Sequence, residues 1–154
     1  HALRQDRGGA VSKQPDELDV LRAKLAAAKA PREQKQAALE RESEIARLTQ
    51  EIADEPAIAE MVDKHGAVGD GVAILRTPEG AIVVTRPKQA VWRRFSDTKV
   101  TDGVAVYKLV RGCVVHPSLE RLEAISDKRP GALEQLGGLI AELAVARDAD
   151  LAGK

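Results

Sequence analysis

The stretch from Val72 to Pro117 constrains this chain most, because it gathers the residues best able to anchor a core. Val72-Ala-Ile-Leu-Arg and Ala81-Ile-Val-Val-Thr are two apolar, largely β-branched runs separated by Thr77-Pro-Glu-Gly. Such runs around a Pro/Gly turn predict a β-hairpin, here over 72–86. A two-stranded ribbon is marginal in water. It must therefore lie on helices or pair an edge with another strand. The single Trp, Phe and Tyr follow within sixteen residues, as Trp92, Phe95 and Tyr107. Aromatic side chains bury large areas, so this trio is expected to form the structural core. Val104, Tyr107 and Val110 share one side of a helix expected over 103–113, with Thr101 or Asp102 as its cap.

The flanks read as helix. Residues 1–15 are polar and aperiodic, a flexible arm. Residues 16–55 are expected to form a helical, coiled-coil-like arm. Leu18, Leu21, Leu25 and Ala28 make one apolar stripe. Ala38, Ile45, Leu48 and Ile52 make a second, one residue out of heptad phase with the first. Ala30-Pro31 lies between them, and proline disfavours helix in the residue before it. Two antiparallel helices over 16–30 and 31–54, or one long kinked helix, both satisfy the pattern. Asp54-Glu55-Pro56 marks the start of a short helix with Ile58, Met61 and Val62, stopped by Gly66. Beyond the aromatic segment, His116-Pro117-Ser118 opens a helix with Leu119, Leu122 and Ile125, ended by Arg129-Pro130-Gly131. A last helix over 131–148 carries Leu133, Leu136, Ile140 and Leu143, with Gly137-Gly138 allowing a neighbour close approach, before a frayed tail at 149–154. The expected class is mainly α with one β-hairpin, the hairpin lying in a small α domain over 56–148.

Charge is balanced overall, 24 basic against 24 acidic residues, so net charge alone selects no polyanionic partner. The middle is different. Residues 76–111 hold eight basic side chains against three acidic ones, net +5, and the segments on either side are net acidic. These charges are either satisfied by the flanks or offered to an acidic partner. Arg86, Arg93 and Arg94 are the candidate contacts there, with Leu18, Leu21, Leu25, Ile45, Leu48 and Ile52 on the helical arm. Trp92 and Phe95 beside Arg93-Arg94 would suit base stacking, but their spacing favours burial.

No catalytic, cofactor-binding or metal-ligating set is assigned. Cys113 is the only cysteine, which excludes an internal disulfide and a cysteine-rich zinc site. Cys113 and His116 are three apart, but Val114-Val115 and Pro117 interrupt the helix that would pair them. His65 has Asp63 nearby and no third ligand in sequence reach. Gly66-x-x-Gly69-x-Gly71 has a helix before it and a strand after, the reverse of a dinucleotide fingerprint. No apolar run reaches membrane-spanning length and no signal-peptide pattern appears, so a cytoplasmic protein is expected.

Arg86-Pro87, Trp92-Arg-Arg-Phe95, Leu109-Val-Arg-Gly-Cys113-Val-Val-His-Pro117-Ser118 and Pro130-Gly131-Ala-Leu form an ordered series. That series, over about 72–147, resembles the tail assembly chaperones of long-tailed phages. The resemblance implies a non-enzymatic protein made during virion assembly in the host cytoplasm. It would hold tape-measure or tail-tube subunits soluble and leave before the tail is complete. The arm at 16–54 departs from that pattern. It fits a structural or scaffolding virion protein that homo-oligomerises through these helices. A nucleic-acid-binding module using 76–111 is the remaining alternative.

Overall fold

A computed structural model describes residues 16–98 and 102–152. The flexible arm at 1–15, Thr101 as a cap, and the last two residues of the expected tail lie outside these. The elements in order are α1 (Glu17–His65), β1 (Val72–Leu75), β2 (Ile82–Thr85), α2 (Gln89–Ser96), α3 (Gly103–Cys113), β3 (Val114–His116), α4 (Leu119–Lys128) and α5 (Ala132–Ala152). The chain is mainly helical, with a small antiparallel sheet. It divides into two compact units, the first ending at Ile45 and the second starting at Ala46.

In the first unit the described residues are helix α1 up to Ile45, and none of them is buried. Of the two arrangements left open by the sequence, the single helix is the one formed. It also absorbs the short helix expected from Pro56. Interior proline costs a helix about 3 kcal/mol, by losing an N–H and crowding the carbonyl four residues back. Those carbonyls belong to Ala27 and Ile52, both exposed residues, so water can solvate the carbonyls that lose their donor. Alanines at 23, 26, 27, 28 and 30 supply propensity before Pro31. Gln36 donates to Glu40 at 3.1 Å after it.

The second unit is built around β2. Val83 and Ile82 are fully buried, as is Val84, so β2 is covered on both faces. An unbroken apolar run such as Ala81-Ile-Val-Val suits a central strand better than an edge. β1 flanks it in the register Val72↔Thr85 to Leu75↔Ile82, closed by Thr77-Pro-Glu-Gly80 with Gly80 at φ +128°. On its other side lies β3, a third strand absent from the sequence reading. Val114 and Val115 were read there only as the end of a helix. Three residues are too few to give a period, and β3 exists because β2 has an open edge to fill.

Alternation along the strands splits the core in two. Ala73, Ile82 and Val84 face Leu109, Val110, Cys113, Leu122, Ile125, Leu136, Ile140 and Leu143 from α3, α4 and α5. Val72, Ala81 and Val83 face Ile58 and Met61 of α1. Asp102 caps α3 by accepting from the Ala105 N–H at 2.9 Å, and Ser118 caps α4 through the Arg121 N–H. Glu79 in the hairpin turn takes two bonds from the Arg129 guanidinium, at 2.6 and 3.3 Å, tying the turn to the end of α4. Gly137 meets Val106, where an added Cβ would lie 3.1 Å from Cγ1, whereas Gly138 faces open space. The last helix also continues to Ala152, past the expected end at 148.

The aromatic trio is not the packing centre. Trp92, Phe95 and Tyr107 are all half-buried, and the largest fully buried side chains are aliphatic ones and Cys113. Trp92 and Phe95 contact each other, ring centroids 5.7 Å apart, and pack on the rim of the larger cluster. The Tyr107 hydroxyl donates to the Glu123 carboxylate at 2.7 Å, which holds its proton and raises its pKa. A polar tip with an exposed partner keeps that ring at the surface.

Candidate functional site

Helices α2 and α3 enclose the site, and a glycine sets how close they come. Gly112 in the last turn of α3 faces Val91 of α2, where an added Cβ would lie 3.3 Å from Cγ1. Residues of the two helices line a groove of about 560 Å³. Its apolar wall includes Val91, Phe95 and Leu109, and its basic side chains are Arg94, Lys108 and Arg111. Lys108 and Arg111 are three apart and so share a face of α3, while Arg94 comes from α2. The groove has the size of an ordinary ligand or side-chain pocket. Its chemistry suits an apolar group carried beside carboxylates.

The candidate contacts disperse. Arg94 lines the groove and Arg93, though exposed, does not. Arg86 is taken up internally, its guanidinium donating to Asp70 at 2.9 Å across the loop before β1. Arg76 lies 3.9 Å from the buried Asp54 carboxylate. Part of the basic middle is thus answered by the acidic segment preceding it. Leu18, Leu21, Leu25, Ile45, Leu48 and Ile52 are all exposed on α1. Lys108, Arg111 and Val91 were missed as site residues. The available signal was the basic pair at i, i+3 just before Gly112.

Three other constellations resolve as structure. Cys113 is 1% exposed, and burial pushes its thiol up to about 11, away from the thiolate a nucleophile needs. A colourless-to-yellow aromatic disulfide reagent should therefore label native Cys113 barely at pH 8 and completely in denaturant. Rapid native labelling would contradict its burial. In the glycine-rich loop the backbone donors turn inward. Gly66 N–H bonds to Val62, Gly69 N–H to Val72, and Asp70 and Gly71 N–H both to Ala67, so these four do not form an anion cradle. Among the described residues no cluster of three metal-ligating side chains forms, and no helix is long and apolar enough to cross a membrane. No family model, curated protein or solved structure matches the chain.

Proposed function

We propose that this chain is a non-enzymatic assembly factor that holds another protein through the groove between α2 and α3. The observation supporting the reading is the groove's lining, an apolar wall of Val91, Phe95 and Leu109 beside Arg94, Lys108 and Arg111. The occupant is an acid-flanked amphipathic helix of a client, its apolar side chains entering the groove and its carboxylates meeting the basic groups. On the resemblance to tail assembly chaperones, the client proposed is a tape-measure or tail-tube subunit and the setting proposed is the host cytoplasm. Holding such a segment keeps its apolar face from aggregating until assembly takes it over.

Co-expression with a tape-measure or tube subunit from the same genome is the test. The chain should raise the client's soluble fraction and co-purify with it. An Arg94→Glu/Lys108→Glu/Arg111→Glu variant should lose roughly tenfold or more of that retention, since three attractions become repulsions. Unchanged client solubility with the wild-type chain would sink the reading. A titration with single-stranded DNA at low salt separates the polyanion alternative. Binding with a steep salt dependence would favour it over the client reading, because counterion release scales with phosphate contacts.

A further inference from the structure

Helix α1 carries a second surface, independent of the groove. From Glu17 to Ala53 it contains no buried residue, and Leu18, Leu21, Leu25, Leu48 and Ile52 are each 45–75% exposed. In proteins most helical stability comes from packing of an apolar face and not from propensity. A row of exposed leucines on it marks an interaction surface.

The spacing specifies what covers it. Residues 21, 25 and 28 step by four and then three, while 45, 48 and 52 step by three and then four. Two such sets interlock when the helices run antiparallel, since each d position then faces an a position. One register pairs three apolar layers, Leu21 against Ile52, Leu25 against Leu48, and Ala28 against Ile45, and beyond them Leu18 lies opposite Glu55.

Charge selects the same direction. Residues 22–35 hold Arg22, Lys24, Lys29, Arg32 and Lys35 against Glu33, net +4, and residues 40–52 hold four glutamates against Arg41 and Arg47, net −2. The antiparallel register sets Lys24 beside Glu51 and Lys29 beside Glu42 on the flanks of the seam. A parallel, in-register pair would instead set the +4 segment against itself. The phase step between the stripes falls within 29–44, where Leu39 is the single large apolar residue and Pro31 removes a helical hydrogen bond. The seam changes face there.

We infer that α1 is a homodimerisation helix, pairing antiparallel with α1 of a second copy so that residues 21–28 of each chain cover 45–52 of the other. Light scattering on the full chain should give twice its 16.5 kDa mass. A Lys24→Glu/Lys29→Glu chain and a Glu42→Lys/Glu51→Lys chain should each be monomeric alone and form a one-to-one dimer when mixed. Orientation is read by mixing a Leu25→Cys chain with a Leu48→Cys chain under mild oxidation. A mixed disulfide between the two is expected, with little of either symmetric product. A monomeric wild-type mass would overturn the inference, and so would a symmetric Leu25→Cys disulfide as the main product. The groove variant should keep the dimer mass, so failure of the client reading leaves this result standing.

Discussion

Gly71→Ala is expected to remove a large share of the stability of the second unit, whereas Gly138→Ala should leave it unchanged or slightly raised. The two substitutions add the same methyl group. At Gly71 an added Cβ would overlap the His65 carbonyl oxygen and press on the Gly66 backbone. Both obstacles are main chain, so no rotamer change relieves them. Overpacking a well-filled site costs about 1–3 kcal/mol, sometimes more. Here the end of α1, the turn at Gly66 and the start of β1 must all move, so roughly 3 kcal/mol or more is expected. Against a total near 5–15 kcal/mol for an ordinary domain, that is a large share. Gly138 lies in α5 with no neighbour within 4 Å of an added Cβ. Alanine there should gain about 0.4–1 kcal/mol through helix propensity and a stiffer unfolded chain. Urea midpoints of the two variants should move in opposite directions. Equal midpoints would show that the backbone crossing at Gly66 and Gly71 is not formed.

The same crossing shows why some of the fold could be read in the sequence and some could not. Thr77-Pro-Glu-Gly, His116-Pro117-Ser118 and Arg129-Pro130-Gly131 act through local backbone chemistry, and each sits where the sequence places it. The hairpin register follows from the two runs and their turn. The third strand does not, because Val114 to His116 become a strand only by docking on β2, a partner thirty residues away. Prolines 31 and 56 misled for a related reason. Their rule describes a local cost, and a long helix of good formers carries that cost where water can solvate the freed carbonyls. The groove was half legible. Arg94 was named, but Lys108 and Arg111 join it only because Gly112 lets α3 close on α2. Residue rarity was the misleading cue for the core, since a single Trp, Phe and Tyr drew attention from the more numerous leucines and isoleucines.

Leu136→Ala should therefore destabilise the chain more than Trp92→Ala, the reverse of what side-chain size suggests. Leu136 is completely buried in α5 within the larger cluster, among Leu122, Ile125 and Ile140 from α4 and α5. Truncating a buried leucine loses its transfer free energy and leaves a cavity, about 2–5 kcal/mol in all, with enclosed sites at the upper end. Trp92 would lose about 3–5 kcal/mol if it were equally enclosed. It is half-buried, with Phe95 on one side and solvent on another. Water can enter the space left by the ring, so the cavity contribution largely disappears and roughly 1–2 kcal/mol remains. Tyr107→Phe removes only the bond to Glu123 at an exposed site and should cost less than either. Equilibrium denaturation of the three variants gives the order directly. A larger loss for Trp92→Ala than for Leu136→Ala would place the packing centre on α2, and the sheet would then be a lid over the aromatic helix instead of the floor of an aliphatic core.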